Sequence, residues 1–125
     1  MAHQKNTKVL VVDDHALNRE VSCEVLTSAG YAVQVASDGL NAIRHMEAIR
    51  FDIVLTALPM PQMDGLELLT KIRDRWPDSR VVVHSNGLSL RVARLALEEG
   101  AYACLSKSDK TAQLLKTIAS ASLAA

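Results

Sequence analysis

Two adjacent carboxylates (Asp13 and Asp14), a hydroxyl (Ser85) and a lysine (Lys107) are the residues of this chain best suited to chemistry. Magnesium favours one or two carboxylates completed by water and substrate oxygens. A lysine brings a point charge to phosphate, and a hydroxyl can donate to a phosphoryl oxygen. Taken singly, each has a plainer reading: a helix start, a strand-end hydroxyl, a solvated lysine. Together they suit a divalent metal and a phosphoryl group, because each stands at the end of an apolar run. A further run, Ile53–Leu55, leads to Ala57. A methyl group can neither attack phosphorus nor ligate a metal. Thr56 adjoins it, but strand alternation turns Thr56 to the opposite side and no base stands nearby. His15 and His84 are not paired at metal spacing. His15 is expected in a loop or first helical turn, and His84 packed and facing away from Ser85.

Strands must bring these ends together. Val9–Asp13, Tyr31–Ala36, Asp52–Ala57, Arg80–Ser85 and Ala101–Ser106 read as five strands. Five helical segments follow them in turn. The first starts at Asp14 and Asn18, carries Leu17, Val21 and Val25 as its stripe, and closes at Gly30. The second starts at Ser37 and Asp38 and packs Ile43, Met46 and Ile49, with Leu40 beside them. Asp64 caps the third, which carries Leu68, Leu69, Ile72 and Trp76 and stops at Pro77. The fourth, Ser89–Glu99, turns Val92, Leu95 and Ala96 to the core. The fifth, Ser108–Ala121, rests on Leu114, Leu115 and Ile118, and the closing ASASLAA is expected to fray. Alternating strands and helices predict right-handed βαβ units, with helices on both faces of a parallel sheet. Ligands of such sheets bind outside the carboxyl ends of the strands, where the four chemical residues and Ala57 fall.

The 125 residues suffice for one domain. Fourteen acidic residues balance fourteen basic ones, which removes the electrostatic case for non-specific nucleic-acid or anionic-membrane binding. No apolar run approaches the roughly 20 residues of a membrane span, and MAHQKNTK lacks the apolar core of a signal peptide. Cys23 and Cys104 are too few and too far apart for a disulfide framework.

VLVVDD (Val9–Asp14), MPQMDG (Met60–Gly65), VVVHS (Val81–Ser85) and EEGAYACLSK (Glu98–Lys107) occur in that order, each at a strand end. In them the chain resembles, from end to end, the receiver domain of bacterial response regulators. The resemblance implies a single α/β domain over 1–125, folded over 8–121 with tails at 1–7 and 122–125. It implies a flavodoxin-like, doubly wound (βα)5 architecture with a five-stranded parallel sheet in order 2-1-3-4-5. It also implies a module, not an enzyme, that takes a phosphoryl group from a sensor histidine kinase or histidine phosphotransfer domain; the sparse cysteines make a reducing cytoplasm the expected compartment. Such a module switches protein contacts, without touching nucleic acid or membrane. By residue, Asp13 and Asp14 match the magnesium-binding pair, and Pro59 matches the position whose backbone carbonyl is a further ligand. Ser85 matches the switch hydroxyl, and Lys107 the lysine that meets the phosphoryl group.

Three departures stand out. Ala57 occupies the position of the acceptor aspartate, so aspartyl phosphorylation is excluded and magnesium binding should be weak or absent. Lys107 loses a salt-bridge partner there. Cys104 falls at the aromatic switch position, with Tyr102 expected two residues earlier on the same strand face. Ser108 replaces a proline that often follows the lysine. The Lys107–Ser108 bond is therefore expected to be trans, since a cis bond without proline costs about 2.5–4 kcal/mol, and Ser108 to cap the last helix.

In the fourth helix Leu90, Ala93 and Leu97 extend the apolar arc to about twice the roughly 100° a surface helix needs, leaving Arg91, Arg94 and Glu98 on the other side. With Tyr102 and Cys104 they form a candidate contact surface. The resemblance implies an output partner or homodimer on this fourth-helix, fifth-strand, fifth-helix side. Two readings follow. The retained pocket favours a receiver whose acceptor was replaced, by design or recently. The alternative is a natural pseudo-receiver that binds partners independently of phosphate. A doubly wound domain for another anion or cofactor is disfavoured: no glycine-rich phosphate loop follows the first strand, and one Trp, two Tyr and one Phe offer no flavin site.

Overall fold

The computed structural model describes residues 7–60 and 63–124. Five strands alternate with five helices. They are β1 (Lys8–Val12), α1 (Ala16–Ser28), β2 (Ala32–Ala36), α2 (Gly39–Ala48), β3 (Ile53–Thr56), α3 (Gly65–Arg75), β4 (Arg80–Ser85), α4 (Leu90–Glu98), β5 (Ala103–Ser106) and α5 (Thr111–Ala124). The sheet is parallel, in the expected order β2-β1-β3-β4-β5.

Alternation along the strands divides the core. Leu10, Val12, Val54, Val81 and Val83 meet Ala42 and Met46 of α2, Leu68, Leu69 and Ile72 of α3, and Ala96 of α4. Val9, Val11, Ile53, Leu55, Val82 and Leu105 meet Leu26 of α1 and Leu114, Ile118 and Ala121 of α5. The central strands are therefore apolar on both faces, as parallel strands covered on both sides must be. Asp38, Asp64 and Ser89 accept backbone N–H bonds from Asn41, Glu67 and Val92 and so cap α2, α3 and α4.

Several expectations need correcting. Leu17 and Val21 are 61% and 53% exposed, and α1 packs through Ser22 and Leu26 instead. Residues at i+4 advance about 40° per step, so the row winds from solvent at Leu17 and Val21 to the core at the half-buried Val25. Its N-cap is His15, not Asp14. Leu40 and Leu95 are also exposed. The last helix starts at Thr111, and Ser108 instead closes a turn in which its N–H donates to Ser106 Oγ. That helix continues to Ala124 with Ala121 fully buried, so 119–124 do not fray, and the folded region extends beyond 121. At the other end Thr7 is buried and its carbonyl accepts from Ala32 N–H, so it is not tail. No cis peptide bond occurs among the described residues. Pro61 and Gln62 of the MPQMDG loop lie outside them.

Candidate functional site

Three of the singled-out positions lie one residue beyond a strand, and each is fixed by a backbone bond to the neighbouring strand. Asp13 N–H donates to Ala36 O (3.1 Å), Ala57 N–H to Val12 O (3.0 Å) and Lys107 N–H to Ser85 O (3.1 Å). The sheet's own ladder thus sets the spacing of the site. Asp13, Asp14, Ala57, Pro59, Ser85 and Lys107 line one cleft of about 290 Å³, together with His15, Asn18 and Asn86. All six residues expected at the site are brought together. Asn18 and Asn86 carried no sequence signal beyond adjacency to a strand end or helix start.

Asp13 is the most engaged member. Its Oδ1 accepts the His15 backbone N–H at 2.9 Å, and its Oδ2 accepts from Lys107 Nζ. Arg19 Nη1 donates to its backbone carbonyl at 2.8 Å. Lys107 has therefore not been left without a partner by Ala57. Asp14 is exposed, whereas Ser85 is buried at the cleft wall. Thr56 is fully buried and its Oγ1 donates to Ala57 O, so it is no substitute nucleophile. Among the described residues, no three His, Cys, Asp or Glu side chains are grouped to hold a metal. With both Asp13 oxygens engaged, the donor set in this arrangement does not fit magnesium.

His84 points to the α1–α5 side, opposite Ser85, as its register with Leu105 requires. Burial holds its imidazole below the ordinary 6.5, Lys107 adds to that, and Asp13 and Asp109 oppose it. Cys104 lies against α4, its Sγ donating to Ala93 O at 3.6 Å, and burial raises its pKa. Tyr102 does not share that face. It precedes the regular strand, so alternation does not reach it, and its hydroxyl pairs with Ser120 of α5 at 2.6 Å. Both cysteines are free.

No helix among the described residues is long and apolar enough to cross a membrane. The family model for the response regulator receiver domain matches residues 9–119. The sensor histidine kinase RcsC of Salmonella typhi is 39% identical over 112 residues, 89% of this chain, which spans 12% of that protein's length. A CheY-like receiver domain from Methanospirillum hungatei superposes with a TM-score of 0.88 at 26% identity, covering 94% of each chain. The CheX–CheY complex of Borrelia burgdorferi with beryllofluoride and magnesium superposes with a TM-score of 0.86 at 27% identity, covering 91% of this chain and 87% of that one. Sheet order, strand-end residues and family match agree, and this chain belongs to the response regulator receiver domains of two-component signalling.

Proposed function

We propose that this domain is a phosphoacceptor-less receiver. Receiver domains are signalling modules, and this one acts through protein contacts without taking up a phosphoryl group. One observation carries the reading: the Ala57 methyl stands in a cleft that otherwise retains Asp13, Asp14, Ser85 and Lys107. The remaining four match the residues around a receiver's acceptor, and Ala57 supplies no nucleophile and no third carboxylate. Asp13, Asp14 and the Pro59 carbonyl are the residues that would ligate magnesium, weakly or not at all in this form. The contact partners are a sensor histidine kinase or histidine phosphotransfer domain, and an output protein or second copy on the α4–β5–α5 side. There Leu90 and Leu97 are 77% and 49% exposed beside the half-buried Ala93. Tyr102 and Cys104 flank that side on different faces.

The pocket supports a receiver whose acceptor was replaced. The second reading, a natural phosphorylation-independent module, is favoured by the Lys107–Asp13 pair, which gives both charges a partner without a phosphoryl group. Ala57→Asp separates them. Incubated with magnesium and acetyl phosphate, the variant gains one phosphoryl mass if only the acceptor is missing, and gains none if the module works without phosphate.

A further inference from the structure

Three ion pairs differ sharply in setting. Arg50–Asp52 and Arg75–Glu47 lie on the surface, with side-chain exposures of 63% and 20%, and 46% and 50%. Lys107–Asp13 is enclosed, at 11% and 6%. Its two charges come from the ends of β5 and β1, which are not neighbours in the sheet. The contact therefore reaches across the ends of β3 and β4, within the cleft that Ala57 also lines.

We infer that the Lys107 ammonium is the resident cation of this cleft and holds the place at Asp13 that a divalent ion would take. The inference deepens the acceptor-less reading above and rests on it for the match of Asp13 and Asp14 to metal ligands. A metal needs an open carboxylate oxygen at Asp13. One oxygen is held by the His15 N–H and the other by Lys107. Opening the second means moving an enclosed ammonium that has no carboxylate at 57 to turn to, or placing a divalent ion against it, where like charges repel. The exposed Asp14 and a loop carbonyl are a poor set for an ion that sheds water reluctantly and needs octahedral geometry. Asp13, Asp14 and Lys107 sum to one net negative charge; with Lys107 neutralised they sum to two.

The test uses the full chain and manganese, whose free-ion EPR signal reports binding without any activity. Lys107→Met keeps the stem and removes the charge. The unaltered chain is expected to leave the signal unchanged, and Lys107→Met to bind manganese at least about tenfold more tightly, as removal of an adjacent like charge implies. Asp13→Asn added to Lys107→Met should abolish the gain. Equal binding by the unaltered chain and Lys107→Met, or no binding by either, overturns the inference. If Lys107→Met does not fold, amide shifts of the unaltered chain decide: magnesium should leave those of Asp13, Asp14 and Ser85 in place, and their movement refutes the resident ammonium. Phosphoryl uptake by Ala57→Asp plays no part in these outcomes, so the two readings fail separately.

Discussion

Gly65→Ala should destabilise the domain, although helix propensity alone favours it. Gly65 is the first residue of α3, and alanine in a helix is better than glycine by up to about 1 kcal/mol. A Cβ at 65 would however lie 2.2 Å from Ala57 O, 2.8 Å from Leu58 Cα and 3.0 Å from Leu58 Cδ2. The first two are backbone atoms and cannot swing aside. The same segments are tied by Gly65 N–H donating to Leu58 O at 2.6 Å, so they cannot separate without stretching that bond. Overpacking costs about 1–3 kcal/mol, and fixed backbone places this case at the upper end. Subtracting the propensity gain leaves a net loss of about 2 kcal/mol. Urea unfolding followed by far-UV CD measures it, and amide shifts at Ala57 and Ser85 should report displacement of the β3–α3 loop. Gly30→Ala is the control. Gly30 has φ of 101° with nothing within 4 Å of a Cβ, so it should cost about 1–2 kcal/mol through backbone strain and leave the site unmoved. A Gly65→Ala variant as stable as the unaltered chain refutes the close-approach argument.

Two further outcomes are expected. His84 is held below its ordinary 6.5, so the unfolded chain takes up a proton more readily as pH falls through that value. The stability contribution is complete above about pH 6.5, declines toward the folded-state pKa and levels off beneath it; urea midpoints should follow that slope, and His84→Phe should flatten it. Replacing Leu90 and Leu97 together by serine should leave the unfolding free energy within about 0.5 kcal/mol, since both are exposed, while weakening self-association or partner capture; unchanged sedimentation and binding would count against that surface.

The fold was legible because five short apolar runs alternate with five helical segments, and because parallel strands with helical crossovers leave few topologies. The site was legible because all its members stand at strand ends. What the sequence could not convey was partner choice and facing. Lys107 had several carboxylates within reach in principle, and only the folded β1 and β5 ends decide for Asp13. The α1 stripe misled because its i+4 row meets the core only at Val25, leaving Leu17 and Val21 in solvent, while a serine, Ser22, takes the contact. Tyr102 misled because strand alternation was extended past the strand's start at Ala103. The need for Gly65 is spatial and leaves no mark in the sequence pattern: the chain at Ala57 and Leu58 passes too close for a side chain.

If the missing carboxylate at 57 is what silences the site at the end of β3, restoring it should restore phosphoryl uptake. Intact-mass measurement of Ala57→Asp and the unaltered chain, each incubated with magnesium and acetyl phosphate, tests it most directly. One added phosphoryl group on Ala57→Asp and none on the unaltered chain is the predicted result. Phosphoryl uptake by the unaltered chain, or none by a folded Ala57→Asp, would contradict it.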